Sequence, residues 1–320
     1  MKLRRIPASL PYNVELRYSP SSGSGHDAKF GRPRNGRLAF SLRSGLTAVL
    51  TATLLLTGCS ATVIPGAIPA PGAVVQHVHK LEVGQNNGEL LVAAHDGLYR
   101  LAFGSDHEAT VVGPVGGFDF DLMGFAIAGD TTYASGHPGP NTTDAFGTPN
   151  LGLIASKDLG GSWINVSLTG VTDFHALAAA ADSTDKSRVF GIDTSKSRIQ
   201  RSLDGGQTWS GGAELVARDI LAVGQRLYAT TSDGLVVSED NGTSFDVDVT
   251  APALYLIAAD RAGMLAGIDV HGAAWMRDAA GVWTTGGAVT GPPQAVAVDG
   301  NRLYIADDRG IAFTEDKGAT

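Results

Sequence analysis

The stretch Ser202-Leu203-Asp204-Gly205-Gly206-Gln207-Thr208-Trp209 decides the fold, because it recurs along the chain. Each copy keeps a serine, an aspartate, a glycine, a hydroxyl residue and an aromatic residue in a fixed order. Two more full copies span Ser156–Trp163 and Ser238–Phe245. Thr314–Thr320 is a copy that the chain end cuts short, and Met276–Trp283 looks like a degenerate one. An internal repeat of this length indicates a structure built from similar units.

The spacing of the copies predicts an all-β, six-bladed β-propeller with four strands in each blade. The three aspartates of the full copies are 46 and 36 residues apart, which is close to the length of a propeller blade. Six apolar inner strands are expected at 78–83, 122–128, 174–180, 220–223, 254–258 and 295–298. Each is followed by a second strand, expected at 91–94, 132–135, 189–192, 227–230, 265–268 and 303–306.

The repeated turn has a local physical role in this prediction. Its carboxylate can accept hydrogen bonds from backbone N–H groups of the same turn. Its glycine allows a positive φ angle, and its aromatic residue is expected to pack under the blade. We therefore give a structural role, not a catalytic one, to Asp158, Trp163, Asp204, Trp209, Asp240, Phe245 and Asp316.

Closure of the ring needs a strand that the end of the chain does not supply. The chain stops at Thr320, before the outer strand of the last blade. A propeller closes so that few sheet edges stay open. Residues 72–76 are expected to provide the missing outer strand.

The start of the chain has a different character from the rest. Nine of the 24 Lys and Arg residues, but only two of the 32 acidic ones, lie in residues 1–58. A short apolar run, Leu46–Leu56, follows Arg37 and Arg43 and leads to Cys59. This order is typical of a secretory signal, and the cysteine after small residues resembles a bacterial lipobox. The resemblance implies cleavage before Cys59, which then carries lipid.

The predicted organisation has three parts. Residues 1–58 are a leader and lipoprotein signal peptide, 59–73 a lipidated cysteine with a Pro/Ala/Gly spacer, and 74–320 the propeller. The chain is then anchored to the outer face of the bacterial cytoplasmic membrane, as a monomer. The acidic body argues against nucleic acid as a partner, whereas an envelope protein or a glycan is compatible with it. Cys59 is the only cysteine, which excludes a disulfide within the chain.

Histidine and carboxylate residues are expected to converge at one mouth of the central channel. Inner strands start, and second strands end, at the same face of a propeller. Aligned on Leu81, Phe125, Leu177, Val223, Ile257 and Val296, the blades place polar residues at this mouth. The candidate ligand-binding residues are His77, His79, His95, Asp121, Met123, His137, Asp173, His175 and Tyr255.

Four interpretations of this mouth remain open. Its residues can be a polar rim bonded to loop carbonyls and water, or a ligand or polymer site without metal. They can also form a metal site, with His79, Met123 and His175 as ligands, which would suit copper, or zinc where histidine and carboxylate combine. The fourth interpretation is a glycoside hydrolase that uses Asp121 and Asp173 as its carboxylate pair. A sialidase is disfavoured because Arg218 is the only arginine expected nearby.

The repeats resemble the Asp box of sialidase-type and sortilin-type propellers. Further motifs resemble a bacterial family of exported Asp-box (BNR-repeat) propeller lipoproteins of the sortilin-like or glycosyl hydrolase-like type. These motifs are His77-Val78-His79, Met123-Gly124-Phe125, Ser135–Gly139 and Asp173–Leu177. The resemblance covers residues 74–320 and implies the fold and export, but no established activity. Lys80 departs from it, since glycine is expected there.

Overall fold

The computed structural model describes residues 4–7, 75, 77–84, 88–103, 109–142, 146–181, 186–193 and 195–318. These residues form six antiparallel sheets of four strands each, arranged as the blades of a propeller. The six-bladed fold predicted from the repeats is confirmed. A short 3-10 turn at Val115–Gly117 is the helical element of the described residues. No helix in this part of the chain has the length and apolar character that a membrane span requires.

The two inner strands of each blade carry the apolar residues that the sequence analysis assigned to them. Blades are numbered along the chain from His77. The innermost strands are β2 (Val78–Val83), β6 (Asp121–Ala128), β10 (Phe174–Ala181), β14 (Asp219–Val223), β18 (Leu254–Ala259) and β22 (Pro293–Asp299). The second strands are β3 (Leu90–Ala94), β7 (Thr131–His137), β11 (Ser187–Asp193), β15 (Arg226–Thr231), β19 (Leu265–Asp269) and β23 (Arg302–Asp307).

The outer half of each blade is less regular. The third strands are β4 (Gly97–Phe103), β8 (Leu153–Ser156), β12 (Arg198–Ser202), β16 (Gly234–Ser238), β20 (Ala273–Arg277) and β24 (Gly310–Thr314). The outermost strands are β5 (Ala109–Val112), β9 (Ile164–Ser167), β13 (Ser210–Glu214), β17 (Asp246–Val247), β21 (Trp283–Ala288) and β1 (Arg4–Pro7).

Apolar cores lie between neighbouring blades and hold the ring together. The core between the sixth and first blades contains Tyr304 and Phe313 on one side and Leu81 and Tyr99 on the other. Both aromatic residues of the sixth blade are almost completely buried. This core joins the end of the chain to the first blade, so the ring closes by side-chain packing as well as by strand pairing.

The outer strand of the sixth blade comes from the start of the chain. Strand β1 pairs antiparallel with β24, with Arg4 opposite Phe313 and Pro7 opposite Gly310. The prediction that residues 72–76 supply this strand is wrong, although most of that segment lies outside the described residues. The reason is topological: the open edge of β24 needs a partner for its backbone groups, and the first residues of the chain occupy it.

The repeated turns share one hydrogen-bond pattern. In the second copy, Asp204 Oδ1 accepts the Thr208 N–H at 2.9 Å, and Asp204 Oδ2 accepts the Thr208 hydroxyl at 2.6 Å. The Gly206 N–H donates to Ser202 Oγ at 2.8 Å, and Gly206 has a φ of 88°. Trp209 packs on Phe174 with ring centroids 4.9 Å apart. Phe174 belongs to the same blade, whereas the indole N–H of Trp209 donates to Ser167 Oγ of the second blade at 2.9 Å, so the turn also holds the third blade against its neighbour.

The other copies keep this pattern to different extents. Asp158 and Asp240 accept the N–H of Ser162 at 2.8 Å and of Ser244 at 2.9 Å. The Gly318 N–H donates to Thr314 Oγ1 at 3.1 Å in the last copy, where Asp316 accepts the threonine hydroxyl. Asp278 of the degenerate copy keeps the carboxylate bond, to the Val282 N–H at 2.9 Å.

Six residues meet at one level of the channel and narrow it. Each pairs with a residue near the end of its second strand, so the level is defined by strand register. These residues are Lys80, Gly124, Ala176, Asp219, Leu256 and Ala295. The free space around them is about 20 Å³, which is enough for roughly one water molecule. We call this level the constriction.

The fourth blade differs from the register expected from sequence. Ile220 pairs with Ala229 in the way that Leu177 pairs with Gly191. The apolar position shared by the six blades is therefore occupied by Ile220, not Val223. Since the shift is an odd number of residues, it reverses which side chains of this strand point to each neighbouring blade. It also brings Asp219 to the constriction.

Candidate functional site

A bulge in the inner strand pushes one side chain into the mouth in five of the six blades. In the first blade, for example, Val78 pairs with Ala94 and Lys80 with Ala93, so His79 has no partner residue. A bulge leaves its extra residue unpaired and redirects its side chain. The bulged residues include His79, Met123, His175, Tyr255 and Gln294. The fourth blade has a regular strand here, and Arg218 precedes it.

Asp121 joins the first two blades through two histidines. His79 Nε2 lies 3.0 Å from Asp121 Oδ1, and His95 Nδ1 lies 3.0 Å from Asp121 Oδ2. His79 and Asp121 are mostly buried, whereas His95 is exposed. We call His79, His95 and Asp121 the first cluster. Its three ligand-type atoms lie within 4.8 Å of one another.

The contact between His79 and Asp121 does not have the geometry of a regular hydrogen bond. Both His79 Nε2 and Asp121 Oδ1 are buried, and neither has a hydrogen-bond partner. Buried polar atoms without a well-formed hydrogen bond lower the stability of a fold. Two ligand atoms on one zinc ion, at bond lengths of ~2.0–2.1 Å, stand about 3.3 Å apart. The geometry of the first cluster therefore fits a cation between the imidazole and the carboxylate.

The histidines around Asp121 favour its charged form. Burial acts to raise the pKa of this carboxyl, but His79, His95 and His137 outweigh burial and hold the pKa below its usual value. A deprotonated carboxylate is the form that binds a metal ion. The surroundings of Asp121 thus match the requirement for a ligand.

A second cluster joins the second and third blades through Asp173. His175 Nε2 lies 2.6 Å from Asp173 Oδ2 and is hydrogen-bonded to it. His137 Nε2 lies 3.2 Å from the same oxygen. We call His137, Asp173 and His175 the second cluster, whose ligand-type atoms also lie within 4.8 Å of one another. The other oxygen of this carboxylate, Asp173 Oδ1, is buried without a hydrogen-bond partner.

Hydrogen bonds to oxygen acceptors orient both histidines of the second cluster. The hydrogen bond to Asp173 raises the pKa of His175, even though burial opposes it. His137 Nδ1 lies 3.2 Å from the carbonyl oxygen of Pro149, to which it donates. In the second cluster, each imidazole is therefore held by an oxygen acceptor, His175 by Asp173 and His137 by Pro149.

Strand pairing places the two clusters side by side. Asp121 of the first cluster and His137 of the second face each other on strands β6 and β7. Residues paired in this way have Cα atoms about 4.5–5.5 Å apart. An ion bound at one cluster would therefore interact electrostatically with the other cluster.

The remaining candidate residues lie around the clusters. His77 is exposed and packs edge-on against His79, with ring centroids 4.9 Å apart. Burial, then His79 and Arg218, lowers the pKa of His77. Met123 lines the top of the constriction with His79 and His175. Of the predicted set His79, Met123 and His175, the two histidines fall in different clusters.

Tyr255 lies on the side of the mouth formed by the fourth and fifth blades. Its hydroxyl accepts the Nε–H of Arg218 at 2.9 Å, and the guanidinium lies 5.1 Å from the centre of its ring. The mouth therefore has a histidine and carboxylate side, from the first three blades, and a cationic side at Arg218.

An ion pair under the mouth was not predicted. Lys80 Nζ lies 2.9 Å from Asp219 Oδ1, and both side chains are buried. Asp219 also accepts the backbone N–H groups of Ile220 at 3.0 Å and Ile257 at 3.1 Å. In the sequence, the sign of this ion pair was Lys80 in place of the expected glycine. Asp219 was not recognised as its partner because the sequence alignment put the fourth blade in the wrong register.

Comparison with known proteins supports the fold but gives no information on the chemistry of the mouth. No protein-family model and no curated protein sequence matches the chain. A solved nidogen–laminin complex contains a similar chain, with a TM-score of 0.50 and 17% identity over 68% of this chain and 85% of that one. PorZ is a surface component of the type-IX secretion system of Porphyromonas gingivalis. It gives a TM-score of 0.51 and 14% identity over 77% of this chain.

A third similar structure is a gluconolactonase from Xanthomonas campestris, with a TM-score of 0.50 and 12% identity over 75% of this chain and 86% of that one. This chain spans 38% of the length of PorZ. At these identities the similarity shows the fold alone. The chemistry of the mouth must be argued from its own residues.

Proposed function

We propose that the mouth of this propeller binds a divalent transition-metal ion, zinc or copper, at the first cluster. The observation that carries the proposal is the approach of His79 Nε2 and Asp121 Oδ1 to 3.0 Å, with both atoms buried and unbonded. A cation between them would remove the cost of two unsatisfied polar atoms. Two histidines and one carboxylate are a common zinc ligand set that leaves a coordination position open.

The donor types favour these metals over calcium or magnesium. Calcium and magnesium take oxygen ligands almost exclusively, whereas imidazole suits zinc and copper. The first cluster already offers three ligand atoms, so the proposal needs no thioether ligand. The second cluster is a weaker candidate, because His175 and Asp173 already share a proton at 2.6 Å.

The test is metal binding by the full chain, purified without a polyhistidine tag. We expect the protein to take up one equivalent of zinc or copper tightly. His95→Ala removes one ligand from an exposed position, so it should fold and weaken binding by about 100-fold or more. His271→Ala is the matched control, since His271 is exposed and lies outside both clusters.

Two results would overturn this proposal. One is a wild type that takes up neither added zinc nor added copper. The other is an affinity that His95→Ala leaves unchanged. This second result, combined with a loss of metal in His137→Ala, would assign the ion to the second cluster instead.

The glycoside hydrolase alternative has less support. A general acid in such an enzyme needs a raised pKa, whereas the pKa of Asp121 is held low. The Asp173 carboxylate is already engaged by His175 and His137. Neither carboxylate is thus prepared to donate a proton to a leaving group.

We further propose that the site works outside the cytoplasmic membrane, with the protein anchored through lipid on Cys59. Support comes from the basic, apolar and small-residue order before that cysteine; Cys59 itself lies outside the described residues. Cys59→Ser should shift the protein from the membrane fraction and abolish any lipid-sized mass increase. An unchanged distribution in this variant would contradict lipid anchoring without affecting the metal site.

A further inference from the structure

Arg218 is held in a fixed position across the mouth from the two clusters. It directly precedes the inner strand of the fourth blade, β14. Its Nε–H donates to the Tyr255 hydroxyl, and its guanidinium packs on the Tyr255 ring. These contacts use Nε and one face of the guanidinium, and they leave the two terminal nitrogens to other partners. The side chain is nonetheless exposed to solvent.

Among the described residues at this end of the propeller, Arg218 is the basic side chain that has no carboxylate partner. Lys196 lies 3.2 Å from Asp193, and Arg198 lies 2.8 Å from Glu214. Arg309 pairs with Asp307. An arginine that stays unpaired among so many acids, yet is held in place by a tyrosine, is preorganised to bind an anion.

Arg218 lies close to the histidine side of the mouth. His77 packs against His79 of the first cluster there, with ring centroids 4.9 Å apart. Arg218, His79 and His175 also line the top of the same constriction. One small ligand in the mouth can therefore contact both sides.

We propose that the mouth binds a small oxyanion, a carboxylate or a phosphate, between Arg218 and the metal ion of the first cluster. This inference rests on the proposed metal site. Three protein ligands leave a coordination position on zinc for an oxygen of the ligand. The guanidinium binds a second oxygen, or two oxygens in the bidentate manner. The Lys80–Asp219 pair closes the channel beneath, so the ligand enters and leaves by the mouth.

The carboxylates around the mouth should make anion binding depend on the metal ion. Without metal, Asp121 and Asp173 repel an anion and Arg218 alone attracts it. A bound divalent cation reverses the sign of the charge on the histidine side. Anion binding is thus expected to depend on the metal, which an isolated surface arginine would not require.

The experiment is a calorimetric titration of the full chain with malonate and, separately, with inorganic phosphate, before and after metal loading. We expect at least one probe to bind the metal-loaded wild type about 10-fold or more tightly than the metal-free protein. Arg218→Gln should weaken this binding by about 10-fold or more, as expected for the loss of a charge-assisted pair, with metal content unchanged. Arg198→Gln is the matched control, because that arginine is held by Glu214.

The results separate this inference from the proposed function. A protein that binds metal but neither probe overturns the oxyanion site and leaves the metal site standing. Binding that Arg218→Gln does not weaken removes the arginine from the site. Equal binding with and without metal overturns the bridging geometry. A wild type that takes up no metal overturns both proposals, and the metal content reports this directly.

Discussion

Lys80 and Asp219 form an ion pair across the channel, with Lys80 Nζ 2.9 Å from Asp219 Oδ1. They belong to the first and fourth blades, which stand opposite each other in a six-bladed ring. Burial acts against the charge on Lys80, but Asp219 and then Glu82 outweigh it and raise the pKa of the lysine. The other residues of the constriction are small or apolar, so this pair spans the channel and separates the mouth from the opposite end.

Removing the lysine alone should destabilise the protein strongly. Lys80→Met leaves a buried carboxylate without its counter-charge, which typically costs about 3–5 kcal/mol. We expect this loss in the free energy of unfolding, measured by urea denaturation.

A double variant supplies the control. Lys80→Met/Asp219→Asn removes both charges of the pair, while the amide oxygen can still accept a backbone N–H. It should be more stable than Lys80→Met, because replacing both charges avoids the desolvation penalty. Equal stability of the two variants would contradict a tightly coupled pair.

Glu82 should make the protein less stable as the pH rises. Burial raises the pKa of Glu82 to about 7, against the attraction of Lys80, from a value of 4.5 in an unfolded chain. A carboxyl whose pKa is raised by folding stabilises the native state below about 4.5 and loses this effect as the pH passes 7. The difference amounts to at most about 3 kcal/mol.

The variant Glu82→Gln isolates this effect, since the amide has the same shape and does not titrate. Unfolding free energies should agree with the wild type at pH 4 and exceed it at pH 8. A wild type and variant that differ by the same amount at both pH values would rule out the raised pKa. Glu82 lines a space of about 290 Å³ at the far end of the channel, away from the clusters.

Much of the architecture followed from the sequence, because its signals are local. Asp204 and its equivalents mark a turn whose hydrogen bonds lie within eight residues, and the apolar strands between turns give the blade count. The convergence of histidines at one mouth followed from blade topology. Their division into two clusters did not, because it depends on side-chain contacts between blades, such as His79 with Asp121.

Two sequence predictions were wrong, the register of the fourth blade and the outer strand of the sixth blade, because both depend on how distant parts of the chain pair. The inner strand of the fourth blade has no bulge, so an alignment on apolar residues moved from Ile220 to Val223. The outer strand of the sixth blade pairs residues separated by almost the whole chain, Arg4 with Phe313. No local pattern marks either feature.

Asp204 should stabilise the fold without affecting the mouth. Asp204→Ala removes the acceptor of the Thr208 N–H and hydroxyl, at a cost of about 1–3 kcal/mol. Asp278→Ala in the degenerate turn loses the bond to the Val282 N–H and should cost less. Thermal unfolding compares the two, and an equal or larger effect of Asp278→Ala would contradict the role assigned to the full turn.

The same carboxylate should contribute to acid sensitivity. The hydroxyl of Thr208, followed by its N–H and Ser202, lowers the pKa of Asp204 to about 2. A carboxyl whose pKa is lowered by folding stabilises the native state above its unfolded value, near 3.8, and loses this effect as the pH falls toward 2. The stability difference between wild type and Asp204→Ala should therefore shrink across this range. A constant difference would show that the charge of Asp204 contributes nothing.

Strand β1 makes the start of the chain part of the fold. Deleting residues 2–10 removes the partner of β24 and exposes the backbone of that edge strand. We expect a melting temperature several degrees lower, at roughly 2–4 °C per kcal/mol for a domain of this size. Cys59→Ser in both proteins keeps the chain uncut, and a Gly/Ser replacement of residues 11–20 controls for changes outside the strand.

The deletion of residues 2–10 also tests whether the start of the chain acts as a strand of the propeller or as part of a leader that is cleaved off. Cleavage before Cys59 would remove β1, so a processed chain would have to cover the edge of β24 in another way. If the deletion leaves the melting temperature unchanged, β1 does not stabilise the ring. If the temperature falls, and that of a chain starting at residue 59 with Cys59→Ser falls equally, cleavage before Cys59 removes the stability that β1 provides. The unprocessed chain is then the form in which the sixth blade is complete.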